Sequence, residues 1–308
     1  MQLTFATRPS ALARRQTQRV IELLQAAHPG LECKEYIITT AGDRVLDRPL
    51  PEMGGKGLFT RELEDALRSG KVQAAVHSLK DLPVEETPGI VVAAIPEREP
   101  AHDVLVSANG RTLASLPEGA RVGTSSPRRT AQLLARRPDL TILPLRGNVD
   151  TRLRKVLDGE YDAIVLAQVG LTRLGFQEHV SEVFPLDIML PAPGQGALAV
   201  QCRAEDIETL VLLAAIHDPL SAAAVAAERA FLSSLGGGCS LPIAAFAAFA
   251  EKNNGTIILT GAVLSPDGKQ AIRLTAVDTD PHKLGERLAG FVLERGAAEL
   301  LRAMAVEQ

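Results

Sequence analysis

The first two thirds of the chain alternate between short apolar runs, typical of strands, and longer segments with helical periodicity. Apolar runs predict strands at residues 3–6, 36–40, 74–77, 104–107, 121–123, 141–145 and 163–167. Strands and helices in alternation favour parallel sheets with helices packed on their faces. The pattern therefore predicts an α/β fold for this part of the chain.

Capping residues mark where the predicted helices begin. Ser10 precedes a helix that runs to about residue 27, and Thr60 precedes one that runs to about residue 69. Two more helices are predicted near Pro127, a residue favoured at the first helical position, and near Asn148. The loop over residues 41–57 is long for an α/β unit. Such a loop is more often functional than idle, and a disordered surface excursion is the alternative.

The last third of the chain has a different pattern. An Ala-rich helix over residues 220–234 is followed by three consecutive glycines. Strand-like runs separated by tight-turn sequences then follow at residues 243–250, 256–264 and 271–277. A final helix is predicted over residues 281–304. This order predicts a small α+β domain with a three-stranded antiparallel sheet.

Length and charge narrow the possible classes of protein. The chain has 308 residues, enough for two or three domains with separate cores. A net charge of -4 and 3% aromatic residues argue against a nucleic-acid binder, which needs a basic surface and stacking side chains. The longest apolar run, residues 241–250, is about half as long as a membrane span. We therefore expect neither a nucleic-acid nor a membrane partner.

Cysteine usage indicates the compartment. Cys33, Cys202 and Cys239 are odd in number, lie far apart and form no C-x-x-C pair. This argues against a disulfide framework and a zinc site, and it favours a reducing environment. The first eight residues lack the apolar run of a signal peptide. The prediction is a cytoplasmic protein without a bound metal.

Cationic side chains recur where a predicted strand passes into a helix. They are Arg8, Arg128, Arg129, Arg146 and Arg152. Helix starts and arginine forks both favour anions, so several together indicate a ligand with several negative groups. For any single position, a solvated arginine paired with a nearby acid is the alternative. A nucleotide site is disfavoured because the chain has no G-x-x-x-x-G-K-[ST] motif.

Two other segments carry candidate chemistry. Lys80 and Asp81 follow the predicted strand at residues 74–77, where α/β enzymes place working side chains. A local Lys–Asp surface pair explains them equally well, and His77 is interpreted as structural. Cys239 follows the three glycines and could be an accessible thiol. Taken alone, it fits a small buried residue as well.

Short segments along nearly the whole chain occur in an order typical of one family. They are residues 6–8, 42–43, 54–59, 75–81, 123–126, 128–129, 146–149, 161–164, 194–197 and 238–239. In these segments the chain resembles the porphobilinogen deaminase (hydroxymethylbilane synthase) family. Agreement of so many ordered segments is not expected by chance.

The resemblance implies a transferase of porphyrin and haem biosynthesis. Such an enzyme links four porphobilinogen molecules head to tail into hydroxymethylbilane and releases ammonia at each step. The resemblance implies a dipyrromethane cofactor attached by a thioether to Cys239. Asp81 matches the catalytic carboxylate, which holds pyrrole N–H groups and stabilises the electron-poor species formed when ammonia leaves. A monomer is implied, with its product passed to a following tetrapyrrole-cyclising enzyme.

The resemblance also implies which residues bind the acetate and propionate groups of these ligands. Implied cofactor-binding residues are Ser78, Lys80, Thr124, Ser126, Arg128, Arg129 and Arg152. Implied substrate-binding residues are Arg8, Ser10, Arg146, Arg173 and Gln195, and an implied flexible lid contains Lys56 and Phe59. One departure from the family pattern is His102, where the family often has Arg.

The family fold implied here has two doubly wound α/β lobes similar to solute-binding proteins and a small C-terminal α+β domain. The expected domains are residues 1–98 plus 194–216, residues 99–193, and residues 217–308, the last carrying the cysteine loop. A rival of another class is a two-lobed cytosolic polycarboxylate-binding protein without catalysis. That rival explains the lobes and arginines, but not an aspartate together with a cysteine-bearing third domain.

Overall fold

A computed structural model of the 308-residue chain describes residues 2–44, 57–237, 241–250 and 255–306. Contacts group the chain into two compact units, residues 1–99 with 196–222 and residues 100–195 with 223–308. The division into three domains stays a prediction, since the C-terminal residues group here with residues 100–195.

The described elements follow one another in the order that the sequence suggested. The strands are β1 (Gln2–Thr7), β2 (Glu32–Ile37), β3 (Ala74–Ser78), β4 (Ile90–Ala94), β5 (Asp103–Ser107), β6 (Arg121–Gly123), β7 (Thr141–Leu143), β8 (Ala163–Ala167), β9 (Glu182–Val183), β10 (Leu198–Arg203), β11 (Ile243–Phe249), β12 (Ile257–Leu264) and β13 (Ala271–Asp278). The helices are α1 (Ala11–Ala27), α2 (Ala41–Arg44), α3 (Arg61–Arg68), α4 (Pro127–Arg136), α5 (Val149–Leu157), α6 (Gln168–Leu174), α7 (Ile207–Ala214), α8 (Pro219–Ser234), α9 (Pro281–Val292) and α10 (Ala298–Val306).

The first unit is built on a five-stranded sheet with the strand order β2-β1-β3-β10-β4. β1 pairs parallel with β2 and β3, as the alternating pattern predicted. β10 instead runs antiparallel to β3 and β4, because the chain returns to this sheet only after residues 100–195. Leu3 and Phe5 of the sheet pack against Val20 and Leu24 of α1, and these apolar side chains are fully buried. The sheet is therefore mixed rather than purely parallel.

The second unit contains two sheets. The five-stranded sheet has the order β7-β6-β8-β5-β9, with β6 parallel to β7 and β8 and with β5 antiparallel to β8. The other sheet, β11-β12-β13, is antiparallel throughout, which confirms the small C-terminal sheet that the turns predicted. Ala131 of α4 packs with Ala244, Ala262 and Leu264 of this sheet. This shared apolar cluster explains why the C-terminal residues belong to the second unit.

Some sequence-based predictions differ from the structure. The second strand covers Glu32–Ile37 rather than residues 36–40, and β4, β9, β10, α2, α6 and α7 were not predicted. The prediction of one continuous final helix is also wrong. α9 ends at Val292, and a π-helical turn over Leu293–Ala297 contains Gly296 with φ of 101°. Glycine reaches that left-handed region without a Cβ clash, so it permits the break before α10.

Candidate active site

Arg8 and Ser10, two of the predicted substrate-binding residues, lie where β1 passes into α1. Ser10 caps α1, because its Oγ accepts a hydrogen bond of 3.2 Å from the backbone N–H of Ala13. The Nε atom of Arg8 lies 3.2 Å from both carboxylate oxygens of Asp43. The Arg8 guanidinium carbon also lies 4.1 Å from the centre of the Phe59 ring. Arg8 therefore already has a carboxylate partner within the chain.

Asp43 is held firmly in that position. Its Oδ2 accepts hydrogen bonds from the backbone N–H of Thr40 at 3.0 Å and from the Thr40 hydroxyl at 2.7 Å. Burial raises the pKa of Asp43, but the hydrogen bonds from Arg8 and Thr40 outweigh burial and hold the pKa below its ordinary value. A ligand carboxylate that binds Arg8 must compete with Asp43 or join it. Asp43 lies in one of the segments that resemble the family, but no role was predicted for it, because no local feature of the sequence indicates that it pairs with Arg8.

Ser78, Lys80 and Asp81 follow one another at the end of β3. The Ser78 hydroxyl accepts a hydrogen bond of 2.7 Å from Gln16 Nε2. Leu79–Asp81 form a single 3₁₀ turn, which the backbone N–H of Leu79 ties to the carbonyl of Ala197 at 3.0 Å. The Asp81 side chain is exposed and that of Lys80 is half-buried. The turn therefore places both charged groups at the C-terminal end of β3, the central strand of the first unit's sheet.

His77 lies two residues before this turn and is only 6% exposed. Burial is the main cause that lowers the pKa of its imidazole to about 4. The Gln201 amide opposes this shift and the positive charge of Arg8 adds to it. His77 is therefore neutral near pH 7, which agrees with its interpretation as a structural residue.

Thr124 and Ser126 shape the start of α4 in the second unit. The Thr124 hydroxyl accepts a hydrogen bond of 3.2 Å from the backbone N–H of Ser126. The Ser126 hydroxyl accepts one of 3.5 Å from the backbone N–H of Arg129, and Pro127 occupies the first helical position. The helix start predicted from the sequence is confirmed, and it places Arg128 and Arg129 in the first turn.

Arg128 and Arg129 are both buried and share the carboxylate of Asp103. Arg128 Nη1 donates to Asp103 Oδ2 at 2.7 Å and to the carbonyl of Leu190 at 2.8 Å. Arg129 donates to Asp103 Oδ1 from Nη2 at 2.7 Å and from Nε at 3.1 Å, while its Nη1 donates to the carbonyl of Val165 at 2.9 Å. The two guanidinium groups thus flank one fully buried carboxylate.

Gln195 joins the same cluster. Its Nε2 donates to Asp103 Oδ1 at 3.0 Å and to the carbonyl of Ala101 at 2.7 Å. Burial alone would raise the pKa of Asp103, but the charges of Arg128 and Arg129 hold the pKa far below its ordinary value. Asp103 was not among the site residues predicted from the sequence. An aspartate that opens an otherwise apolar strand was the available signal, because a buried charge needs a partner.

Arg146, Arg152 and Arg173 lie half-buried elsewhere in the second unit. Arg152, on α5, donates from Nε to the carbonyl of Gly147 at 2.7 Å. Arg146 lies in the loop before α5, and Arg173 lies on α6. The structure therefore brings Arg146 and Arg152 to one helix start, as the sequence predicted, and places Arg173 on a separate helix.

The remaining residues predicted from the sequence are Lys56, Cys239 and His102. Lys56 and Cys239 lie outside the described residues, as does most of the predicted lid. His102, at the family's usual Arg position, has its Nδ1 3.0 Å from the carbonyl of Phe184.

Within the described ranges, no group of His, Cys, Asp or Glu side chains could hold a metal ion. No single described helix is long and apolar enough to cross a membrane; α7 and α8 meet that test only as a pair bent by 107°.

Comparison with known sequences matches almost the whole chain to one family. The model of the "Porphobilinogen deaminase, dipyromethane cofactor binding domain" matches residues 3–211, and that of the "Porphobilinogen deaminase, C-terminal domain" matches residues 222–294. The chain is 50% identical over 295 residues to a porphobilinogen deaminase of Brevibacillus brevis, covering 96% of this chain and 95% of the relative. It is 50% identical over 300 residues to one of Roseiflexus castenholzii, covering 97% and 98%.

Solved structures show weaker similarity. A Bordetella pertussis BvgS VFT2 domain aligns with a TM-score of 0.41 and 18% identity, covering 70% of this chain and 86% of that one. A Salmonella typhimurium periplasmic binding protein with high arginine specificity aligns with a TM-score of 0.38 and 15% identity, covering 72% and 93%.

Proposed function

The chain belongs to the porphobilinogen deaminase family, and from that premise we propose that Asp81, a set of anion-binding residues and Cys239 carry its reaction. The enzyme is a transferase, a hydroxymethylbilane synthase of tetrapyrrole biosynthesis. It joins four porphobilinogen molecules head to tail and releases ammonia. The roles of the individual residues are the content of the proposal.

The described residues suit a cofactor with several carboxylates. Residues 3–211 match a dipyrromethane cofactor binding domain, and we assign the attachment to the sulfur of Cys239 through a thioether. The environment of Arg128 is the observation that supports binding of this cofactor. The Arg128 guanidinium is about as buried as the core, yet among the described residues acceptors contact only its Nη1. When bound, the dipyrromethane supplies the pyrrole to which the first substrate ring is joined.

Positive charge at strand and helix ends supports anion binding by these residues, which we divide between the cofactor and the substrate. Residues assigned to hold the cofactor are Ser78, Lys80, Thr124, Ser126, Arg128, Arg129 and Arg152. Residues assigned to hold the substrate are Arg8, Ser10, Arg146, Arg173 and Gln195. Each porphobilinogen carries an acetate and a propionate, and charge-assisted hydrogen bonds to such groups are worth about 1.5–3 kcal/mol each. These residues orient the rings, and Lys56 and Phe59 are assigned to a lid.

Asp81 is assigned as the catalytic residue. A carboxylate near the reacting pyrrole rings accepts their N–H hydrogen bonds and opposes the positive charge that develops when ammonia leaves the substrate. Because that charge is larger in the transition state than in bound substrate, the interaction accelerates the reaction. The exposure of Asp81 at the end of β3 leaves its oxygens accessible to a ligand.

The test of this assignment is Asp81→Asn, which keeps the shape and removes the charge. We predict that steady-state turnover of porphobilinogen falls by at least about 10²-fold, as expected for loss of one electrostatic stabiliser. Asp81→Glu keeps the charge, moves it by one methylene group and should retain part of the activity. Near wild-type turnover by Asp81→Asn, with the cofactor in place, would reduce Asp81 to a local partner of Lys80.

The attachment at Cys239 has its own test. The mass of the intact, denatured protein should exceed the sequence mass by two linked pyrrole units. Cys239→Ser should lose both this added mass and the activity, while the matched variants Cys33→Ser and Cys202→Ser keep both. An unmodified, fully active wild-type enzyme would contradict the assignment.

We further propose that the enzyme acts as a cytoplasmic monomer and passes its product to a following tetrapyrrole-cyclising enzyme. Three cysteines without a paired motif favour a reducing compartment, which also keeps the Cys239 sulfur available. Cell fractionation and light scattering of the purified enzyme test the compartment and the mass of the particle. Recovery of the purified enzyme as a stable dimer would contradict the proposed monomeric state.

A further inference from the structure

Asp103 is the only charged side chain of β5, whose other residues are Val104, Leu105, Val106 and Ser107. It is fully buried, and it accepts hydrogen bonds from Arg128, Arg129 and Gln195. An unpaired carboxylate or guanidinium in such surroundings costs several kcal/mol in transfer from water. The three charges are therefore held in the fold as one group, with one positive charge in excess.

The two arginines use this carboxylate differently. All three nitrogens of Arg129 donate to acceptors of the second unit, namely Asp103 and the carbonyl of Val165. In the described part of the chain, Arg128 donates only from Nη1, to Asp103 and to the carbonyl of Leu190. Every nitrogen of the Arg129 guanidinium thus has an acceptor within the fold, whereas Nε and Nη2 of Arg128 have no acceptor among the described residues.

We propose that Asp103 is a positioning residue of the cofactor site: together with Arg129 it fixes the Arg128 guanidinium so that the remaining donors of Arg128 bind a cofactor carboxylate. This inference rests on the proposed role of Arg128. Within the cofactor-binding set proposed above, Arg128 then contacts the cofactor carboxylate directly, and Arg129 contributes to the same site by fixing Asp103. The inference also assigns a function to a residue that touches neither substrate nor cofactor.

Electrostatics explains why the carboxylate is needed. Without Asp103, two neighbouring guanidinium groups repel each other in a poorly solvated site, where charges interact more strongly than in water. Among the acceptors of the described residues, Arg128 then keeps the Leu190 carbonyl alone to orient it. A ligand carboxylate could still approach, but the guanidinium would no longer be held in advance, and that preorganisation is what favours binding.

The test measures the fraction of purified protein that carries the pyrrole adduct, by mass spectrometry of the denatured chain. We expect Asp103→Asn to lower this fraction at least about fivefold and Asp103→Glu to keep more than half of it. Leu140→Ala is the matched control, because it opens the apolar cluster of the same lobe without touching the arginines. At an equal loss of thermal midpoint, Leu140→Ala should keep the adduct.

Arg128→Gln distinguishes failure of the proposed role of Arg128 in cofactor binding from failure of the positioning role of Asp103. If Arg128→Gln keeps the adduct, the proposed role of Arg128 fails and the inference falls with it. If Arg128→Gln loses the adduct and Asp103→Asn keeps it, the inference alone is overturned. Equal adduct loss in Asp103→Asn and Leu140→Ala also overturns it, since Asp103 would then act only on stability.

A double variant covers the case in which Asp103→Asn does not fold. Combining Asp103→Asn with Arg129→Gln removes one charge of each sign and leaves Arg128 as a single cation. We expect this protein to fold, as judged by circular dichroism, and to carry as little adduct as Asp103→Asn, because both changes remove support from the same Arg128 guanidinium. Full adduct occupancy in the folded double variant would overturn the proposal.

Discussion

His77 links the burial of the first unit to its stability in acid. The imidazole is 6% exposed in β3, and its pKa is lowered, mainly by burial, from an ordinary 6.5 to about 4. Between these two values the unfolded chain binds a proton at His77 and the native protein does not. Unfolding therefore takes up a proton, and stability falls as the pH falls. We predict that His77→Gln, which has no titrating group, removes this part of the acid sensitivity.

The size of the effect follows from the two pKa values. A tenfold change in proton affinity is worth about 1.4 kcal/mol, so a pKa of 6.5 in the unfolded chain against about 4 in the native protein sets a limit of about 3 kcal/mol. At pH 7.5 neither state holds the proton, and the contribution is close to zero. At pH 5, His77 is largely protonated in the unfolded chain but not in the native protein. The free energy of unfolding is then lower by about 2 kcal/mol because of His77.

The measurement is the free energy of unfolding in urea at pH 7.5 and pH 5, followed by circular dichroism. On going to pH 5, the wild type should lose about 2 kcal/mol more than His77→Gln. The comparison uses the change with pH, so any effect of the substitution at pH 7.5 cancels. His282→Gln is the control, because it removes an imidazole that is already exposed on α9. Equal losses in the wild type and His77→Gln would refute the buried, neutral His77.

Two further predictions use the packing. Gly285→Ala should lower the thermal midpoint, because a Cβ there would lie 2.5 Å from the Ala227 carbonyl oxygen, and such overpacking costs about 1–3 kcal/mol. Gly290→Ala, on the same helix with no atom within 4 Å of its Cβ, should instead raise stability by up to about 1 kcal/mol. Burial raises the pKa of the Cys202 thiol to about 11, so iodoacetamide at pH 8 should alkylate it only after unfolding, as peptide mapping would show.

Local sequence features predicted most of the fold. The cap at Ser10, the Ser126–Pro127 start of α4 and the turns of the C-terminal sheet depend on neighbouring residues, and all are confirmed. β2 was misplaced because it is an edge strand that pairs, among the described strands, with β1 alone. Its partly exposed residues include Glu32, Lys34 and other polar side chains. Hydrophobicity alone cannot locate such a strand. The antiparallel pairings within the two five-stranded sheets were not predicted either, since strand direction there depends on where a distant segment returns.

The candidate site shows the same limit at the level of single charges. The sequence pattern placed Arg128 and Arg129 at a helix start and did not distinguish them, because both lie in the same first turn. What distinguishes them is Asp103, which lies 25 residues before Arg128 and faces both guanidinium groups only in the folded lobe. Arg8 and Asp43 repeat the pattern across 35 residues. An arginine pattern can therefore predict that a chain binds anions, but the internal carboxylates decide which arginine remains available to a ligand.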